Sequence, residues 1–207
     1  MADLALIVLA KEPVPGRAKT RLSPPCTPAQ AAGLAAAALA DTLAAVLGAP
    51  ASRRVVALEG RRGDWIPAGF EVVAQRGAGL DERIAWAFQD VGGPGLLVGM
   101  DTPQVSSGDL AFALGELGRE ETDAVLGPAP DGGYWAVGMR DPRPEAFIGV
   151  PMSTARTCHA QRTRLAQLGL LVTELPELRD VDRMEDAIAV ARQASGGRFA
   201  QALAALG

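Results

Sequence analysis

The feature that most restricts the fold is an alternation. Short apolar runs with the look of buried strands take turns with segments that carry helix-start signals, along nearly the whole chain. Leu4 to Ala10 is an uninterrupted apolar run ended by a charged, Pro/Gly-rich loop, the pattern of a strand buried on both faces. Thr27-Pro28-Ala29-Gln30 then supplies an N-cap, a proline at the first helical position and a capping-box partner. The spacing predicts a helix from Pro28 to about Leu47, stopped by Gly48 and Pro50.

The same grammar continues. Arg54–Leu58 and Phe70–Ala74 read as strands, and Leu80–Val91 has helical apolar spacing. Leu96–Val98 reads as a buried strand, and Ser106 or Ser107 caps a helix running to Leu117. Ala124–Leu126 and Tyr134–Val137 are strands around a loop at 127–133. Thr154–Leu168 is helical with Ser153 as its cap, and Leu170–Thr173 is a strand. Asp182 with Glu185 forms a capping box that opens a further helix, and Arg198–Leu206 is a last short helix, either a surface turn or a contact between copies. This order implies a single α/β domain over residues 1–207, a three-layer α/β/α sandwich with a mostly parallel, mixed sheet. Ligands of such sheets bind outside the carboxyl ends of the strands. Three polar or glycine-rich loops, 11–22, 99–103 and 127–133, follow strand ends and are expected to converge.

Composition narrows the chemistry. With 20 basic and 24 acidic side chains the net charge is −4, which lacks the basic excess of a nucleic-acid binder. One histidine and two cysteines exclude a multi-histidine or four-cysteine metal centre, so a metal must rest on carboxylates, which favours Mg²⁺ or Mn²⁺. Cys26 and Cys158 are far apart without a CxxC pattern, so both are expected reduced and buried in a cytoplasmic setting. The first apolar run is too short for a signal peptide or membrane span, and the alanine-rich stretch around residues 31–47 reads as the helix of a soluble protein.

Of the 20 basic residues only Lys11 and Lys19 are lysines, and both lie in the first loop. Lys11, Arg17, Lys19 and Arg21 on a Pro/Gly-shaped loop suit a diphosphate, although neither the P-loop nor the GxGxxG spacing is present. A solvated basic loop is the alternative. Asp101, just past a buried strand, can hold a divalent cation against phosphate oxygens or simply cap a turn. Asp180 and Asp182 lie on one side of an extended segment, and one of them could complete the ligand set. Asp131-Gly132-Gly133 is a turn signal followed by Tyr134 and Trp135, which either meet a ligand ring or join the core. Backbone N–H groups near Ser153 and Thr154 could receive an anionic group. His159 is the lone imidazole, and such a residue is usually structural or exposed.

Taken together, Lys11–Leu22, Gly99–Pro103, Gly127–Trp135 and Asp180–Asp182 resemble, in order and content, the DUF2064 family, also called rSAM/selenodomain-associated transferase 1. That family is similar to GT-A-type glycosyltransferases and to small nucleotidyltransferases. The resemblance implies a GT-A or SpsA-like nucleotide-diphospho-sugar transferase fold. It implies catalytic carboxylates at Asp101 and Asp131, and a Mg²⁺ or Mn²⁺ ion on Asp101 with Asp180 or Asp182. Nucleotide and phosphates would fall to Lys11, Arg17, Lys19, Arg21 and Arg83, with Gly132, Gly133, Tyr134, Ser153 and Thr154 around the sugar or acceptor. Where the family commonly has Trp before Ser-Thr, this chain has Met152. The first loop and His159 are also similar to 2-phospholactate guanylyltransferases, but their Asp-Gly-Thr-Asn segment is replaced here by Asp-Gly-Gly-Tyr.

The expected activity is transfer of a sugar from a nucleotide diphosphate to a small acceptor. Nucleotidyl transfer with release of pyrophosphate, and a nucleotide-binding module without turnover, are the alternatives. The expected partners are a nucleotide or nucleotide sugar and a small acceptor, with no nucleic acid and no membrane span; a homodimer is left open.

Overall fold

A computed structural model describes residues 4–206; Asp3, which flanks the first apolar run, lies outside them. Seven strands form one sheet: β1 (Ala5–Lys11), β2 (Arg53–Glu59), β3 (Glu71–Ala74), β4 (Gly95–Gly99), β5 (Ala124–Pro128), β6 (Tyr134–Met139) and β7 (Val172–Glu174). Their order is β3-β2-β1-β4-β6-β5-β7. All neighbours are parallel except β6, which runs antiparallel to both β4 and β5. The sheet is therefore mixed and mostly parallel, as the alternation implies.

Period-two alternation divides the core. On one face Leu6 and Val8 of β1 meet α1 (Pro28–Gly48) and α3 (Ser107–Leu117) through Leu39, Leu43, Leu110 and Leu114. On the other, Ala5 and Ile7 meet α2 (Leu80–Val91) and α4 (Thr157–Gln167) through Ile84, Phe88 and Leu165. Phe88 stacks on Phe147 with ring centroids 5.2 Å apart. These layers bury the apolar runs that define the strands, which is the main driving force of the fold.

A third, smaller core lies on the outer side of α1. There Ala31, Leu34 and Ala38 pack against α5 (Met184–Gln193) and α6 (Arg198–Ala204), with Leu22, Val181, Val190 and Phe199 between them. Helix α1 is thus covered on two sides, which explains why its sequence is apolar nearly all round. It is long and apolar enough to cross a membrane, yet here it is a core helix with its buried residues against β1, α3 and α6.

Several helix starts follow the sequence. Thr27 accepts from the Gln30 N–H while Gln30 reaches back, and Ser106 and Asp109 do the same for α3. Three expectations are corrected. Helix α4 begins at Thr157, not Thr154, because the Thr157 hydroxyl accepts from the Thr154 N–H at 3.0 Å and closes a separate turn first. Ser153 is therefore not its cap and sits at φ 57°. Helix α5 begins at Met184 with Asp186 accepting from the Arg183 N–H at 2.9 Å, so Asp182 caps nothing and turns instead to Arg21. Helix α6 is not a mere surface turn, since Phe199 is buried in the third core and Asp41 of α1 accepts from the Arg198 and Phe199 N–H groups.

Candidate active site

The strand order reverses between β1 and β4, which part at Lys11 and Gly99. A cleft of about 510 Å³ opens at this carboxyl edge, at the topological switch point where ligands of open α/β sheets bind. The three sequence loops do converge there, joined by residues 152–155 and 180–182.

The first loop owes its shape to two anchors. Ala18 enters the main core and Leu22 the third core, which leaves Lys19 between them at φ 49°. Its ammonium lies 2.7 Å from Asp101 Oδ1 and donates as well to the Val181 carbonyl. Arg21 Nη1 pairs with Asp182 Oδ2 at 2.7 Å on the exposed side of the cleft.

Asp101 leaves β4 and is followed by buried Thr102, whose hydroxyl donates to Asp180 Oδ1 at 2.8 Å. The Val181 N–H donates to the Asp101 carbonyl at 2.8 Å, and Gln104 Nε2 to the Arg179 carbonyl at 2.7 Å. The late segment 179–182 is thereby stitched to the turn after β4. Burial pushes Asp180 up to about 6 against the Thr102 hydrogen bond and Lys19, with the negative charges of Asp101 and Asp131 adding to the rise. A carboxylate held up this way among like charges is in an environment that favours a cation.

A further part of the wall comes from the hairpin between β5 and β6. Asp131 accepts from the Gly133 N–H at 2.7 Å, an Asx turn that explains the residue locally, and it also lines the cleft. Gly132 has φ 88°, and a Cβ there would lie 2.1 Å from the Ala155 carbonyl oxygen, so the hairpin and loop 151–157 touch backbone to backbone. The Cys158 N–H donates to the Gly132 carbonyl at 2.8 Å and fixes this contact. Tyr134 lines the cleft with its hydroxyl donating to Gln161 Oε1 at 3.3 Å, and burial pushes the pKa of that phenol up, so it stays protonated. Trp135, one residue on, points to the other face and is buried, with Nε1 donating to the Pro176 carbonyl at 3.0 Å. Both residues border the cleft, Tyr134 from one core cluster and the buried Trp135 from the other.

Not every expected residue arrives. Lys11 and Arg83 both pair with Glu59, and neither is among the described residues that line the cleft. Burial pushes Glu59 up, but hydrogen bonds and charge from Arg83 and Lys11 outweigh it and hold the carboxyl below its usual value. Arg17 is exposed on the loop and His159 on α4, also away from the cleft lining. Ser153 and Thr154 do line it. Both cysteines are buried and free.

Sequence reasoning misses Leu9, Leu97 and Ile84 of the apolar wall that Leu80 and Met152 complete, and the supporting Thr102 and Gln161. The direct link of Thr102 to Asp101 in the sequence is a usable signal, whereas Gln161, whose amide donates to the Ala146 carbonyl at 2.7 Å, has none.

For a metal, the described residues contain no cluster of three or more histidine, cysteine or carboxylate ligands. Asp101 and Asp180 nonetheless fit Mg²⁺ or Mn²⁺, since such ions are commonly bound by one or two carboxylates with substrate phosphates completing the shell. They are close enough for the charge of Asp101 to raise Asp180, and Asp182 is already taken by Arg21.

The sheet order, the single reversed strand and the cleft place the chain among nucleotidyl- and sugar-transferase folds of the GT-A-like superfamily. A family model described as "Uncharacterized protein conserved in bacteria (DUF2064)" matches residues 34–154, more than half of the sequence, and the chain belongs to that family. Among solved structures, it is similar to a candidate nucleotide-diphospho-sugar transferase from Desulfovibrio desulfuricans G20, with 25% identity and a TM-score of 0.82 over 98% of this chain and 99% of that one. It also resembles the 2-C-methyl-D-erythritol 4-phosphate cytidylyltransferase of Thermus thermophilus, with 18% identity and a TM-score of 0.59 over 94% of this chain and 100% of the other. A third likeness is to Rv0371c of Mycobacterium tuberculosis H37Rv in complex with manganese, with 22% identity and a TM-score of 0.51 over 92% and 98% of the two chains. No curated protein matches the sequence significantly.

Proposed function

We propose that this protein is a Mg²⁺- or Mn²⁺-dependent cytoplasmic transferase, a single domain that moves a sugar from a nucleotide diphosphate to a small acceptor. The observation that carries the reading is the meeting of Lys19, Asp101 and Asp180 at the switch point of the sheet. Charge supports a diphosphate donor. The cleft is lined by Asp101, Asp131, Asp180 and Asp182 against Arg21, with the Lys19 ammonium on Asp101 behind that lining, which suits a diphosphate with one divalent cation better than a more highly charged triphosphate.

In this reading Asp101 and Asp180 hold the metal, and Lys19 and Arg21 bind the diphosphate oxygens. The bound cation supplies charge neutralisation on the departing nucleoside diphosphate. Asp131 takes the proton of the acceptor hydroxyl as its oxygen bonds to the anomeric carbon and the bond from that carbon to the phosphate oxygen breaks. Ser153 and Thr154 orient sugar or acceptor hydroxyls, and the apolar wall with Tyr134 excludes water from the reacting carbon.

The test pairs binding with products. Titration with UDP, GDP and CDP in the presence of Mn²⁺ is expected to show one tight ligand, with affinity lost in Lys19→Ala and metal dependence lost in Asp101→Asn. Incubation with the matching nucleotide sugar is expected to release nucleoside diphosphate. No nucleotide binding, or binding that both substitutions leave unchanged, overturns the reading.

Nucleotidyl transfer is the second reading, favoured by one observation. Lys11 at the end of β1 and Arg83 on α2 wait on Glu59 at the end of β2, a reserve of cations that a triphosphate could draw in. Release of pyrophosphate from a nucleoside triphosphate would select it.

A further inference from the structure

Lys19 is the most deeply held cation beside the cleft, and it is already engaged. Its side chain is 9% exposed while that of its partner Asp101 is 46% exposed, so the ammonium is sunk beneath a carboxylate that remains open to solvent. Two features fix it there. Ala18 and Leu22 are buried on either side, and the backbone of Lys19 itself is left-handed, an uncommon conformation for a residue with a side chain. The second oxygen it meets, the Val181 carbonyl, belongs to the segment that carries Asp180. One ammonium therefore ties the turn after β4 to the late segment, between the two carboxylates assigned above to the metal.

The same Asp101 oxygen cannot serve an ammonium and a divalent cation equally, because two cations at one carboxylate repel strongly in a partly desolvated site. We propose that Lys19 is a resident counter-ion that keeps the metal's place on Asp101 until substrate arrives, so that metal and nucleoside diphosphate bind as a coupled pair. Lys19 gives up Asp101 when a divalent cation binds there, and the phosphate oxygens receive the released ammonium. Each ligand removes a cost the other would bear, and the coupling is reciprocal. The inference rests on the reading of the site given above and adds to it an order: metal alone binds poorly, and nucleotide alone binds poorly.

The experiment titrates Mn²⁺ into the protein and follows the electron paramagnetic resonance signal of the free ion. Lys19→Met, with Lys19→Gln as a second neutral replacement should the first fold poorly, is expected to bind Mn²⁺ alone about fivefold more tightly or better than the parent. Arg17→Met, which removes one positive charge from the exposed part of the same loop, controls for charge alone and is expected to change the affinity less than about twofold. Adding UDP, GDP or CDP should tighten Mn²⁺ binding by a larger factor in the parent than in the Lys19 variants.

A second arm uses no metal. In EDTA, Asp101→Asn is expected to bind the nucleoside diphosphate more tightly than the parent, because the ammonium is freed, and this gain should vanish in the Lys19→Met background. A gain that persists there reflects lost repulsion only and overturns the proposal. Equal Mn²⁺ affinity in parent and Lys19 variants, with nucleotide binding and Asp101-dependent Mn²⁺ binding intact, overturns it as well while leaving the proposed function standing. Failure of the parent to bind Mn²⁺ and nucleotide together overturns both.

Discussion

Replacing Gly132 by alanine should be among the most damaging single-methyl changes in this protein. The backbone there has φ 88°, where a side chain costs roughly 1–2 kcal/mol. The new Cβ would lie 2.1 Å from the Ala155 carbonyl oxygen, more than 1 Å inside an ordinary contact of about 3.3 Å. Loop 151–157 must retreat, and the 2.8 Å hydrogen bond from the Cys158 N–H to the Gly132 carbonyl is stretched or lost, at about 1 kcal/mol. The total is about 3 kcal/mol, which for a chain of this size lowers the melting temperature by roughly 6–12 °C.

Gly133→Ala is the matched control. Its Cβ would meet Asp131 Oδ1 at 3.0 Å, the end of an exposed side chain that needs to give by only a few tenths of an ångström, and the backbone is not in the left-handed region. The expected cost is below about 1 kcal/mol, a melting shift of a few degrees at most. Thermal unfolding followed by circular dichroism compares the three proteins. If Gly132→Ala and Gly133→Ala melt within about two degrees of each other, the backbone contact between the hairpin and loop 151–157 is not what holds that wall in place.

Other outcomes follow from features outside the cleft. Phe199→Ala should cost about 3–5 kcal/mol and open α6 before the sheet, seen as faster amide exchange in residues 198–204 than in β1. Glu59 is held below its ordinary value, so its contribution to stability is present above the unfolded value near 4.5 and fades as pH falls through the lower folded value. Glu59→Gln should therefore melt below the parent at pH 7, and the gap should close in acid; a gap that is the same at pH 7 and in acid contradicts the pairing with Lys11 and Arg83. Native alkylation should leave Cys26 and Cys158 unmodified, with both thiols reacting after denaturation and without prior reduction, as counted by intact mass.

Much of the architecture can be read from local signals because those signals are themselves local. Thr27 and Gln30 cap each other across one turn, and the run from Leu4 to Ala10 is apolar because it is covered on both faces. The convergence of three loops follows from strand direction alone. What escapes is decided by partners distant in sequence. Lys11 and Arg83 look like phosphate ligands until Glu59 engages them, and Asp182 looks like a cap until Arg21 reaches it from 161 residues away. Loop 151–157 defeats the helix reading because Thr157 spends its hydroxyl on the Thr154 N–H. Ile84 of the apolar wall is invisible for a different reason: its helical spacing is the same whether it faces a core or a cleft.

The two-sided burial of α1 bears on how the protein is made. Lys19 and Asp101 belong to the first half of the chain, but Asp180 reaches them only when the segment after β7 crosses back and α5 and α6 close over the outer side of α1. A nascent chain emerges from its N-terminal end, so the strands up to β6 can pair before that segment exists. The site is then the last thing assembled, and a truncated or misassembled product would carry a folded sheet with neither the third-core anchor that positions Lys19 nor the second carboxylate. Ligand binding in this fold therefore reports on completion of the polypeptide as well as on chemistry.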